Sequence, residues 1–276
     1  MTLGIGNKVM ELTGNLGSDD RKIFEKFLVP INEEVTKEID NLPLNKTKDA
    51  LIEIHQGLVA ITFSIVTLCE QEKTSSQATA SLMRTLIDGC LTAFAFCKNP
   101  KEQAELYINF RAVLDFRFAC CQEKHLGCPL ADTSEDHQKI AENKGKARKV
   151  LETVGLDFLN KKTPSQASLH DALSKGRHNA FRNTWYSEER KNLLIAEGME
   201  WVYDYLYVRL CSAVHSDSAA SKVFDSERYI VFTWSWMLYL AAVYRLVETF
   251  HIDLPKEQME FLRSNYTTLQ YKESVR

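Results

Sequence analysis

The sequence predicts an all-α fold, a mainly antiparallel helical bundle, on three observations. Apolar residues recur at spacings of three and four in at least five long segments, no stretch alternates apolar and polar residues convincingly, and 276 residues hold only 11 Gly and 6 Pro. Few turn formers mean few connections, which favours long helices over many short strands. The length supports one large domain or one domain with appendages.

In chain order, Asp19 and Asp20 are placed to cap a first helix whose apolar face carries Ile23, Phe24, Phe27 and Leu28, and Pro30 is expected to end or kink it. After the break "NLPLNKTKDA", a long helix from about Thr47 to Glu72 carries Leu51, Ile54, Leu58, Ile61, Ile65 and Leu68, with Thr47 as its expected cap. A second long helix spans about Ser76 to Cys97. A third opens at Pro100, which suits a first turn, and runs through "AELYINFRAVLDFRFACCQEK". Short breaks between these three make them antiparallel neighbours. Two further long helices follow, about Ser187 to Val214 and about Ser221 to Phe250, and Pro255 opens a last one to about Tyr271. This divides the chain into a helical appendage over 1–44 and a bundle domain over 45–276, with a basic insertion at about 128–186.

Charge is segregated along the chain. Residues 139–191 hold twelve Lys/Arg against six Asp/Glu, a net of +6, so the remainder carries −9 of the total −3. "LNKKTPSQAS" and "SKGRHNAFRNTW" read as loops with a short helix between them. Lys144, Lys146, Arg148 and Lys149, then Arg177, His178 and Arg182, are candidates for contact with RNA phosphates; a solvated helix face is the other reading.

The N-terminus lacks a basic stretch followed by a long apolar run, so a signal peptide is not expected and the protein reads as cytoplasmic. The most apolar stretch, 229–244, falls short of the roughly 20 residues of a span and reads as a buried core helix, without a membrane partner. Seven cysteines, mostly within apolar runs, suit reduced thiols. Cys120, Cys121 and Cys128 near His125 raise the question of zinc, but they lack paired CxxC spacing, and neither a metal nor another cofactor is expected. Phosphate-loop, dinucleotide-fingerprint, HExxH and GxSxG motifs are absent, which argues against the enzyme classes they serve.

The candidate chemistry lies in "RLCSAVHSDSAAS", residues 209–221. Arg209 and His215 are six apart, so in one straight helix they would face different sides, and they converge only if the helix ends between them. Ser216, Asp217 and Ser218 favour such an ending. An imidazole that shuttles protons beside a guanidinium that holds phosphate can cleave RNA without metal. The alternative is a structural cap or core histidine. "RLVETFH", Arg245 to His251, matches the same spacing but reads as a routine helix exit. Ser212 lies midway between the candidate pair. Asp204 is a candidate to orient a base, and Arg84 with Asp88 forms either a simple i,i+4 ion pair or a polar seam facing Arg209. Trp201, Tyr203, Tyr205, Trp234 and Trp236 are expected to fill the core.

"LYVRLCSAVHSDS", late in a helical chain after "LMRTLIDGCLTAFAF" and "AELYINFRA", resembles uncharacterised bacterial helical families and the wider HEPN superfamily. The general pattern covers about residues 45–250, and Arg209 and His215 take the superfamily's Arg and His positions. The sequence departs from that pattern in having Leu210, not a polar residue such as Asn, after the Arg. The resemblance implies a metal-independent endoribonuclease of a bacterial defence, toxin–antitoxin or stress system, acting as a homodimer and held by a protein partner or antitoxin. Some branches of the superfamily bind without cleaving, so a non-catalytic helical module for a protein or nucleic acid is the alternative. A small-molecule sensor using the aromatic interior is a third.

Overall fold

The computed structural model describes residues 24–70, 76–124, 134–214 and 228–270. Among these the chain is helical, with an isolated β-bridge between Leu159 and Phe181. The α-helices are α1 (Val29–Asn41), α2 (Lys46–Glu70), α3 (Ser76–Lys98), α4 (Pro100–Lys124), α5 (Ser134–Val154), α6 (Gln166–Ser174), α7 (Arg190–Ala196), α8 (Val208–Val214), α9 (Arg228–Phe250) and α10 (Lys256–Leu269). The chain forms two compact units, Met1–Pro100 with Glu188–Arg276, and Lys101–Ser187. The second unit therefore takes nearly all of α4 as well as the basic stretch.

In the first unit, a π-helical turn over Phe24–Leu28 runs directly into α1. Pro30 does not end this helix. It occupies the first turn of α1, where a missing N–H costs least. Asp19, Asp20 and Ile23 lie outside the described residues. α2 begins one residue before its expected cap, because Asn45 rather than Thr47 supplies the side chain: its Oδ1 accepts from the Lys48 amide at 2.9 Å. The buried Lys48 ammonium turns back to donate to the carbonyls of Asp40 (2.6 Å) and Leu42 (3.0 Å), which satisfies the otherwise orphaned C-terminus of α1.

Leu51, Ile54, Leu58 and Ile65 of α2 are buried as their spacing predicts. α2 lies close enough to α3 that a Cβ on Gly89 would come 3.1 Å from Leu58 Cδ2. α9 completes the core: the Cys90 thiol donates to the Leu238 carbonyl (3.4 Å), and Phe96 stacks with Phe250 at 5.6 Å. Residues 238–244 of α9 are buried, as a core helix requires. α2 and α3, rather than α9, are the described helices long and apolar enough to cross a membrane.

The second unit is held by an arginine. Arg117 on α4 donates to the carbonyls of His178 (3.2 Å), Phe181 (2.6 Å) and Arg182 (2.7 Å), which fixes the loop after α6. Phe110 and Phe116 of α4 meet Phe158 and Phe181 edge to face beneath it. The expected short helix is α6, started by a reciprocal cap between Ser165 and Ser168.

Candidate functional site

The expected helix from Ser187 to Val214 is broken. α7 ends at Gly198, whose φ of +70° only glycine adopts cheaply, and the amide of Met199 reaches back to the Leu194 carbonyl at 2.8 Å. Beside the break, Glu197 is buried and accepts from the Tyr266 hydroxyl at 2.5 Å. Arg245 Nε lies 3.1 Å from the same carboxylate but off the line of its N–H, so the pair is an ionic contact more than a hydrogen bond. Burial and the Glu197 carboxylate push the Tyr266 phenol above its ordinary range. Trp201 Nε1 donates to the Leu269 carbonyl (2.7 Å) and pins the restarting helix to the end of α10. From there a π-helical turn, Val202–Tyr207, leads into α8.

This geometry accounts for the second Arg–His match. Arg245 is committed to Glu197. His251 is exposed, in the left-handed conformation at φ +52°, at the exit of α9, where the Ile252 amide bonds the Val247 carbonyl at 3.0 Å.

α8 carries the primary candidate. Arg209 is half-buried; its guanidinium lies 4.8 Å from the Tyr205 ring centroid, and Nη1 donates to the Tyr205 hydroxyl at 2.6 Å. Tyr205 is 50% exposed and Val208 equally so; the expectation that Tyr205 fills the core is corrected. One face of α8 packs against α3 and the opposite face remains in solvent. Ser212 falls within α8, but its side chain, and all of His215, lie outside the described residues.

The other predicted residues divide among different partners. Asp204 is exposed and accepts from Lys191 Nζ at 3.0 and 3.1 Å, and Lys191 also meets Glu200 at 3.0 Å. The Asp204 hydrogen bond, then that of Glu200, raises the Lys191 ammonium above its usual value. Asp204 is thus paired with a lysine.

Arg84 and Asp88 do form a polar seam, but with Tyr207 and Arg190 rather than Arg209. Asp88 Oδ1 accepts from Arg190 Nε at 2.9 Å. The Arg84 and Arg190 guanidinium carbons lie 5.8 and 5.9 Å from the Tyr207 ring centroid. The neighbouring Tyr207 phenol raises the Arg84 guanidinium's pKa, with smaller contributions from Cys211 and Asp88. Tyr207 and Arg209, two positions apart, leave their helix on opposite sides, roughly 200° apart in an α-helix. Arg190 and Tyr207 escape the sequence reading because their meeting depends on the Gly198 break. The only signal was the glycine inside "IAEGMEW".

Of the basic candidates, Lys146 and Lys149 are exposed on α5. Lys144 pairs with Glu123, Arg148 with Glu152 at 3.0 Å, and Arg177 with Asp171 at 2.9 Å. His178 is half-exposed and offers its carbonyl to Arg117. Arg182 is half-buried and donates to the Asp157 carbonyl, and burial lowers its pKa, so it serves the loop rather than a surface anion. Cys120 is buried and Cys121 exposed, while Cys128 and His125 lie outside the described residues. Among the described residues, His, Cys, Asp and Glu side chains form no group of three or more able to hold a metal.

The sequence model of a family described as a family of unknown function (DUF5677) matches residues 48–229. Neither the curated proteins nor the solved structures contain a match.

Proposed function

From the premise that this chain belongs to the DUF5677 family of unknown function, whose matched span includes both Arg209 and His215, we propose that it is a metal-independent endoribonuclease. The observation that carries the reading is the position of Arg209. It is partly exposed, aimed by the Tyr205 hydroxyl, on a seven-residue helix that leads directly into His215.

In this mechanism His215 takes the proton of a ribose 2'-hydroxyl, and the freed oxygen attacks the adjacent phosphorus. The P–O5' bond breaks, the departing 5'-oxygen takes up the proton that the His215 imidazolium releases, and the products are a 2',3'-cyclic phosphate and a 5'-hydroxyl. Arg209 grips two phosphate oxygens and offsets the charge that grows on them. The likeness to the HEPN superfamily adds the context: a cytoplasmic homodimer in bacterial defence or stress response, restrained by an antitoxin or other partner.

Lys146 and Lys149, with Lys144 and Arg148 beside them on α5, supply a second surface for RNA phosphates. Replacing all four with Gln is expected to weaken RNA binding and flatten its salt dependence, because fewer counterions are released. An unchanged slope would assign that face to solvent. For the activity itself, the test is cleavage of a labelled RNA in EDTA with identification of the product ends. Cyclic phosphate termini are expected; an inert protein contradicts the reading.

A second reading has its own observation. Tyr205 and Val208, each 50% exposed, flank Arg209 with apolar surface on one helix. That is the composition of a docking face, and a non-catalytic module would use it to bind a partner without cleaving RNA.

A further inference from the structure

We propose that Tyr205 is a base-stacking subsite beside Arg209, taking a base of the single-stranded RNA whose phosphate the guanidinium holds, an inference that rests on the ribonuclease reading. Tyr205 is 50% exposed, yet its ring is fixed from two directions. The Arg209 guanidinium lies 4.8 Å from the ring centroid and bonds the hydroxyl, and Trp234 of α9 meets the ring edge to face at 6.2 Å. Trp234 is braced in turn by Trp201 at 6.1 Å, whose Nε1 is tied to the Leu269 carbonyl. Trp201 and Trp234 are half-buried, so this row of rings starts at the end of α10 and finishes at the surface, on Tyr205. A ring that only filled the core would be buried, and one that only tethered Arg209 would need its hydroxyl and no brace from α9.

The chemistry of that surface selects a nucleotide. An aromatic ring stacks with any base, and a guanidinium beside it gives charge-assisted hydrogen bonds to phosphate; single strands are gripped by this combination. The 4.8 Å between ring and guanidinium is short enough for one nucleotide to touch both. Val208, equally exposed, adds apolar surface next to Arg209. Asp204, the exposed acid next to Tyr205 in sequence, is paired with Lys191 at 3.0 Å, which reduces its repulsion of a phosphate. The Tyr205 hydroxyl is engaged with Arg209, so the ring contributes contact area and not a hydrogen bond to a base edge, and the subsite is tolerant of sequence.

The test uses two fluorescein-labelled 12-mers that lack the nucleophile and cannot be cleaved, a mixed-sequence 2'-O-methyl RNA and a strand of abasic spacers with the same phosphates. Each is titrated by anisotropy against the parent, Tyr205→Phe and Tyr205→Leu across a salt series. Both variants lose the hydroxyl that holds Arg209, and they differ in whether an aromatic ring remains. On the base-bearing strand, Tyr205→Leu is expected to bind about tenfold more weakly than Tyr205→Phe, the scale of one stacked base. The slope of log K against log salt should be the same in both, because neither loses a charge. On the abasic strand the two variants should bind alike. Equal affinities on the base-bearing strand, the same gap on both strands, or a parent that does not bind the base-bearing strand overturns the subsite. The second of these outcomes would make the ring a support for Arg209, and the third would leave the face to a protein partner. Should Tyr205→Leu fail to fold, a parent that binds the two strands equally overturns it as well. Cleavage of unmodified RNA separates the two claims. A parent that shows the base dependence but leaves RNA intact overturns the ribonuclease reading and leaves the subsite standing, whereas a cleaving parent whose variants Tyr205→Phe and Tyr205→Leu share one KM does the opposite.

Discussion

His55, 2% exposed in the middle of α2, has an Nε2 without a hydrogen-bond partner, and burial depresses its pKa from 6.5 to about 4. The folded state keeps the ring neutral, while the unfolded chain protonates it as the pH falls through 6.5. Stability is therefore unaffected by this group above pH 6.5, declines as the pH falls from there to about 4, and levels off below; the full loss is on the order of 3 kcal/mol. Urea melts of the parent and His55→Leu across that window should diverge toward acid, with the variant flatter. Parallel curves would show that the ring is already solvated in the folded protein. The residue scale is also where the sequence is most and least informative. Arg209 stands out because its spacing to His215 is a pattern in one segment. The pairing of Asp88 with Arg190, 102 positions away, leaves no local trace.

Elements were legible where apolar periodicity was long. α2, α3 and α10 match their expected bounds within about two residues where described, with Asn45 in place of Thr47 as a cap, and α9 fills the expected stretch from Arg228 to Phe250. The failure was the helix expected from Ser187 to Val214, because apolar spacing continues across Gly198 while the backbone does not. Gly198→Ala forces a Cβ into φ +70° and should cost about 1–2 kcal/mol of stability. The new methyl itself meets Gln270 only at ordinary contact distance, so a loss far above that range in thermal melts would point to a second cause. In the second unit, Arg117→Ala removes three donors from the carbonyls of His178, Phe181 and Arg182 at once. A loss of about 2 kcal/mol is expected, moderated because partly exposed carbonyls recover water. A variant as stable as the parent would mean that the Phe116–Phe181 contact alone holds the loop.

At the scale of the whole molecule, the chain combines a bundle whose core is nearly all apolar with polar side chains gathered around α7, the π turn and α8. Composition and periodicity foretell the first; the second follows from two backbone irregularities, a left-handed glycine and a π-helical turn, that short-range patterns do not encode. Arg209 sits on that irregular segment, half-buried beside the exposed Tyr205, which is why the account places the chemistry there. The most direct test measures RNA cleavage in EDTA and melting temperature together on the parent, His215→Ala and Arg209→Lys. The account predicts a parent that leaves 2',3'-cyclic phosphate ends, two variants that do not cleave, and melting temperatures close to the parent's, because an imidazole that must meet RNA contributes little packing and an ammonium keeps the charge of Arg209 while lacking its planar fork. An inactive parent beside a destabilised His215→Ala, or a His215→Ala that cleaves as well as the parent, would contradict it.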